Sequence, residues 1–233
     1  MVDVAIIGGG VCGCSLLYEL SRYDVDVVLL EKENDVSVGT TKANSAIVHA
    51  GYDPEPGTKM ARYNVEGNAI IKELCGKLDI PYKQIGSLVL AFDEEQEELV
   101  KELFRRGTEN GVPGLRILTA EEVFSMEPNV SREVKSALYA PSAGIISPWE
   151  LAIAQAETAV KNGAKVLLNT EVTGIRKTDG GFSIETNGEP IEARYVVNAA
   201  GVNCDLINDM LCPHTFTVTP GKGQYYLLDK SQG

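Results

Sequence analysis

The chain has 233 residues, 44% of them hydrophobic and 23% charged, with 23 glycines and 10 prolines, which excludes collagen-like, low-complexity and wholly disordered chains. Lys and Arg total 21 against 33 Asp and Glu, a formal net charge of −12, and no cluster of basic residues offsets the repulsion of a phosphate backbone, so no nucleic-acid partner is expected. No apolar run approaches the roughly 18 residues of a membrane-spanning helix, and no basic stretch precedes the first apolar residues as in a secretory signal, so a cytoplasmic protein with no integral membrane segment is expected.

Val4, Ile6 and Ile7 predict a short strand that runs into Gly8-Gly9-Gly10-Val11-Cys12-Gly13, a GxGxxG pattern with Gly8, Gly10 and Gly13 at its three positions. The first glycine permits a tight turn, the second lets backbone approach a pyrophosphate, and the third lets a helix pack closely on the strand. Leu16, Leu17 and Leu20 carry that helix, whose N-terminus presents unpaired N–H groups to phosphates. A second strand, Val25 to Leu30, ends at Glu31, where a carboxylate can accept ribose hydroxyls and disfavours the 2′-phosphate of NADP. A dinucleotide site is the expectation. Cys12 and Cys14 in this turn are small packing residues, although a thiol at a helix N-terminus can be reactive.

The polar loop Gly39-Thr40-Thr41-Lys42-Ala43-Asn44-Ser45 comes next, in place of the regular strand–helix alternation of a nicotinamide dehydrogenase. Its small and hydroxyl side chains suit a cofactor that extends beyond its pyrophosphate, while a plain surface loop would explain the polarity but not the apolar run 46–50 that follows. No second GxGxxG occurs, so a reductase holding two dinucleotides is not supported.

Ile70, Leu74 and Leu78 repeat at helical spacing and predict a helix over 59–78, broken by Ile80-Pro81. Gly86 to Phe92 reads as a buried strand. The acidic run from Asp93 opens a helix with Leu99, Val100, Leu103 and Phe104 on one face and Arg105-Arg106 near its end, in keeping with the helix dipole. Thr119-Ala120-Glu121-Glu122 is a capping box for a short helix that Pro128 closes. Ser147-Pro148-Trp149-Glu150 is a second capping box, with Trp149 as a core or staple residue, for a helix running to about Asn162. A strand at 165–168 precedes a β-meander over 171–178, 182–186 and about Ile191, punctuated by Asp179-Gly180-Gly181 and Asn187-Gly188. An apolar strand at Tyr195-Val196-Val197 leads into Ala199-Ala200-Gly201 and a short helix. The five cysteines form no pair of CxxC motifs, so no metal site is expected and reduced thiols are the default.

The opening motif, the segment 40–51 ending Ile47-Val48-His49-Ala50-Gly51, Ala199-Ala200-Gly201 and Gly221-Lys222-Gly223-Gln224 together resemble the D-amino-acid-oxidase-type flavoprotein superfamily. Within it the chain is most similar to FAD-dependent glycerol-3-phosphate dehydrogenases of the anaerobic type, with L-2-hydroxyglutarate oxidases close behind. The resemblance implies an α/β fold: a Rossmann-like FAD-binding domain with a β-meander crossover, plus part of an α+β substrate domain. It implies FAD-binding segments at 1–80 and 145–213, substrate-domain segments at 81–144 and 214–233, and an N-terminal fragment of a longer flavoenzyme. FAD would meet Gly8, Gly10, Val11, Cys12 and Gly13 in the turn and Glu31 and Lys32 at the strand end. It would also meet Thr40, Thr41, Asn44 and Ser45 in the loop, the backbone of Val172 at the adenine, and the Ala200-Gly201 turn.

The same resemblance sets His49 beside the isoalloxazine. There an imidazole can take a substrate hydroxyl proton as hydride moves to flavin N5, orient the loop, or attach FAD covalently, as a histidine in this region does in some members. Lys222, where relatives often carry Arg, is a candidate for binding an anionic substrate or the flavin. The implied reaction is oxidation of a secondary alcohol on a small anionic metabolite, glycerol 3-phosphate first and a 2-hydroxy acid second. An electron-acceptor protein or quinone would receive the electrons. Two readings compete: a nucleotide-binding piece without turnover, and a flavoprotein of tRNA modification, which the net charge disfavours.

Overall fold

The computed structural model describes residues 1–226 and 229. The chain divides into two compact units, one of residues 1–45 with 148–224 and one of residues 46–147 with 225, 226 and 229. The division falls at 45/46, whereas the sequence placed a boundary at 80/81. Residues 227, 228 and 230–233 of the expected 214–233 segment lie outside the described residues.

The first unit opens with β1 (Val2–Ile7), α1 (Val11–Leu20) and β2 (Val27–Leu30). Strand β1 is a nearly continuous apolar run because both of its faces are covered. Ile6, with Val27 and Leu29 of β2, faces α1. Ala5 and Ile7, with Val28 and Leu30, face the other way. The two-residue period of a strand accounts for this division.

The second unit begins with β3 (Ile47–Val48), α2 (Lys59–Leu78), β4 (Tyr82–Lys83) and β5 (Ser87–Ala91). It continues through α3 (Glu94–Glu109), β6 (Arg116–Thr119), α4 (Ala120–Met126), β7 (Ser136–Ala140) and β8 (Gly144–Ile146). Two antiparallel three-stranded sheets result, β3-β8-β4 and β5-β7-β6. Central β7 buries Leu138 with Val100 and Leu103 of α3, and buries its neighbour Ala137 with Val123 of α4.

Two of the caps that the sequence marks do form. Asp93 accepts the N–H of Gln96 at 2.8 Å, and Thr119 and Glu122 form the reciprocal capping box. Helix α2 spans the expected residues but buries a different face. Ala61 and Cys75 are buried while Ile70 is 62% exposed. Leu99 of α3 is likewise exposed, since its neighbour Val100 takes the core position. Strands β6 to β8 were not anticipated. They are short, and one of them, Ser136-Ala137-Leu138-Tyr139-Ala140, has small residues that read as strand only once paired on both sides.

The chain returns to the first unit with α5 (Pro148–Lys161), β9 (Lys165–Leu167), β10 (Val172–Thr178), β11 (Gly181–Thr186), β12 (Ile191–Asn198) and α6 (Cys204–Asp209). The sheet order is β10-β11-β12-β1-β2-β9. The expected strands at Ile191 and at 195–197 are one strand, β12. It is antiparallel to β11 through Ala193 and parallel to β1 from Ala193 to Asn198, so it joins the meander to the parallel half of the sheet. Ala152, Ala156 and Ala159 of α5 let it pack closely on Cys14 and Leu17 of α1, and buried Gln155 accepts the Ser15 hydroxyl at 2.8 Å.

Two expectations about α5 fail. The Ser147 hydroxyl is buried without a hydrogen-bond partner, so the second capping box does not form. Trp149 is 44% exposed and is not a core residue. Proline at the first helical position still suits this start, because its missing N–H leaves one fewer donor to satisfy.

Candidate functional site

The carboxyl ends of β1, β2 and β12 meet above the glycine-rich turn, where open α/β sheets bind their ligands. There the first unit carries a cleft of about 720 Å³, within the usual range of small-molecule sites.

Two glycines make the turn possible. Gly8 has φ of +109°, and a Cβ there would lie 2.5 Å from the carbonyl oxygen of Ala199. A Cβ on Gly13 would lie 1.9 Å from the carbonyl oxygen of Gly8. The turn, the start of α1 and the segment after β12 are therefore stacked at backbone contact. Gly10 stands at the N-cap of α1 and contributes no side-chain cap. The cap is supplied from the following loop instead: Thr41 Oγ1 accepts the N–H of Val11 at 2.9 Å. Asn44 Nδ2 donates to the carbonyls of Thr40 and Thr41 and closes the loop on itself.

Glu31 is 9% exposed. One of its carboxylate oxygens accepts the N–H of Gly9 and the other accepts that of Glu33 at 2.9 Å. Each oxygen keeps lone-pair capacity for a hydroxyl in the cleft it lines. Lys32 and Glu33 lie 3.7 Å apart and are largely exposed, an arrangement of small energetic value. The opposite wall is apolar and comes from α6 and its C-cap, through Leu206, Ile207 and Met210.

Twelve of the residues expected at the cofactor line this one cleft: Gly8, Gly10, Val11, Cys12, Glu31, Lys32, Thr40, Thr41, Asn44, Val172, Ala200 and Gly201. Gly13 and Ser45 do not. Gly13 is buried under the turn and acts through packing, while Ser45 is exposed. His49 is exposed, belongs to the second unit, and receives a hydrogen bond on its backbone carbonyl from Asn68. Lys222 is exposed and is not among the cleft's lining residues.

Sequence reasoning missed the α6 wall, Glu33 and Glu171. It also missed Gly9, whose N–H fastens Glu31; the GxGxxG pattern treats that position as free. Nδ1 of His214 lies 2.7 Å from Asp209 Oδ2, and its Nε2 lies 3.0 Å from Thr217 Oγ1.

Cys14 is fully buried, with its thiol toward the Gly9 carbonyl. Burial, helped by the nearby Glu31 charge, pushes this thiol up to about 12, which removes it from thiolate chemistry. Cys12 is exposed in the cleft. Among the described residues, no group of three His, Cys, Asp or Glu is placed to hold a metal ion, and no helix is long and apolar enough to cross a membrane.

Residues 3–233 match the DAO family, described as FAD dependent oxidoreductase. The chain belongs to that family. The family's relatives include a glycerol 3-phosphate dehydrogenase of Caloramator mitchellensis, 52% identical over 233 residues that make up 100% of this chain and 48% of the relative. The mitochondrial L-2-hydroxyglutarate dehydrogenase of Homo sapiens is 33% identical over 97% of this chain and 52% of its own length. Among solved structures, the dithionite-reduced L-alpha-glycerophosphate oxidase of Mycoplasma pneumoniae with FAD bound superposes with a TM-score of 0.87. Its identity is 34%, over 90% of this chain and 56% of that one. The chain spans about half the length of the relatives it matches.

The cleft fits the family's cofactor. A helix start without a side chain at its N-cap faces the space a pyrophosphate needs, an acid with spare lone pairs faces the space of a ribose, and an apolar wall faces the rest.

Proposed function

We propose that this protein is an FAD-dependent oxidoreductase acting on the CH–OH group of a small anionic metabolite, with glycerol 3-phosphate favoured. The observation that carries the reading is the cleft over the glycine-rich turn, walled by Glu31 and α6. The 52% identity to a glycerol 3-phosphate dehydrogenase supports the choice of substrate, and the 33% identity to an L-2-hydroxyglutarate dehydrogenase supports a 2-hydroxy acid as the second reading. In this reading residues 1–80 and 145–213 serve FAD and residues 81–144 and 214–233 the substrate. The protein works in the cytoplasm, where its five free thiols stay reduced, and an acceptor protein or quinone takes the electrons.

When bound, FAD supplies the hydride acceptor at flavin N5. The start of α1, the Thr40–Asn44 loop and the Ala200-Gly201 turn hold the diphosphate and its ribityl chain, Glu31 and Lys32 orient the ribose, and the Val172 backbone meets the adenine. His49 takes the hydroxyl proton of the substrate on its imidazole, and Lys222 draws in the substrate's negative charge.

The test is spectroscopic. Purified protein mixed with FAD should retain a flavin absorbance that bleaches anaerobically on addition of glycerol 3-phosphate. Bleaching by L-2-hydroxyglutarate instead moves the assignment to the second reading. A protein that takes up no FAD at all overturns both.

A further inference from the structure

Helix α6 has two working faces. Leu206 and Met210, four residues apart, line the cleft, with Ile207 between them. Asp205 and Asp209, also four apart and therefore on one face, reach in another direction, to the chain that follows. Asp205 is 7% exposed. Its Oδ2 accepts the N–H of Val218 at 2.8 Å, and its Oδ1 accepts the N–H of Leu206 at 2.9 Å. Asp209 Oδ2 lies 2.7 Å from His214 Nδ1, and the other ring nitrogen of that histidine lies 3.0 Å from Thr217 Oγ1.

Residues 213–224 have no regular secondary structure, so no strand ladder or helix sets their path. Side-chain ties have to do so, and the buried one is Asp205. A nearly buried carboxylate is costly unless it is hydrogen-bonded, so the tie to Val218 is strongly specified. The Val218 hydrogen bond also draws the Asp205 carboxyl below the usual carboxylate range, which keeps it ionised and accepting.

We propose that Asp205 is a positioning residue that clasps the 213–218 segment to α6, so that the apolar wall of the cofactor cleft and the path toward Lys222 are held as one piece. The clasp rests on the FAD reading only for what fills the cleft. By linkage, a ligand that packs against Leu206 and Met210 steadies the clasp, and loss of the clasp weakens that ligand by the same factor. Asp205 is not among the residues that line the cleft.

Asp205→Asn and His214→Gln test it, with amide hydrogen exchange read at Val218 and FAD dissociation constants read by flavin fluorescence. Asp205→Asn should raise exchange at Val218 at least tenfold and weaken FAD several-fold. His214→Gln, on the exposed side, should do less of both. Val123→Ala, in the core of the second unit, serves as a control that lowers the melting temperature without changing FAD affinity. Should Asp205→Asn not fold, Val218→Pro removes the donor instead, with exchange read at Phe216 and Thr217.

Unchanged exchange in a folded variant overturns the clasp. Raised exchange with unchanged FAD affinity overturns its link to the cleft. A wild-type protein that takes up no FAD sinks the cofactor reading and, with it, the link, while exchange in the absence of FAD still judges the clasp.

Discussion

The carboxylate of Glu31 holds the backbone N–H of Gly9, joining the end of β2 to the middle of the glycine-rich turn across 22 residues of sequence. The same side chain holds the N–H of Glu33. One buried acid thus shapes two cleft-lining segments before any ligand arrives, and the geometry that suits a ribose is already in place.

Glu31→Gln should be worse than its small change in shape suggests. An amide presents one acceptor oxygen where two N–H groups need one each, so one donor is left facing the amide nitrogen. We expect a loss of about 1–3 kcal/mol in stability, measured by urea unfolding, and weaker FAD binding by fluorescence titration. A variant as stable as wild type would show that the two N–H groups find other acceptors.

Three glycines of the site should respond very differently to alanine. Gly8→Ala and Gly13→Ala drive a Cβ to 2.5 Å and 1.9 Å from backbone oxygens that cannot swing away, and should cost about 3 kcal/mol or more or abolish soluble expression. Gly39 lines the cleft as Gly8 does, but a Cβ there meets nothing within 4 Å. Gly39→Ala makes no clash, but its backbone at φ −84° and ψ −138° lies outside the ordinary wells of an L-residue, so it should cost about 1 kcal/mol in the same unfolding assay.

Cys14 gives a pH dependence with a definite sign. Its thiol is pushed from 9.0 to about 12 in the folded protein, so the native state holds this proton more tightly than the unfolded chain. The stabilisation is complete below pH 9 and is lost as pH rises from 9 to about 12, at about 1.4 kcal/mol per pH unit. Cys14→Ala should flatten that part of the stability profile, read by urea midpoints across the alkaline range. At about pH 8 a thiol reagent should label Cys12 and leave Cys14 untouched until the protein unfolds, and an identical rate at both would contradict the burial.

His49→Gln should leave FAD bound and stop its reduction by substrate, a loss of about 10²–10⁴-fold in rate for removal of a general base. Stopped-flow bleaching of the flavin measures it. Unchanged reduction would take His49 out of the reaction and leave it the role of orienting its loop.

What the sequence determined by itself is what neighbours along the chain decide. The glycine spacing specifies a turn, Asp93 and Thr119 specify helix starts, and Asn187-Gly188 specifies a hairpin, because each partner lies within a few residues. Twelve lining residues of the cleft were legible, four of them in the local glycine-rich motif and most of the others through the family resemblance. The tertiary structure alone decided that Thr41 caps α1, that β9 joins β2 and that α6 walls the cleft. It also decided that α2 buries Ala61 and Cys75 while leaving Ile70 outside. Each of these depends on which surface meets which after the chain has closed loops of tens of residues. Periodicity states that a helix has an apolar face without saying where that face will find cover.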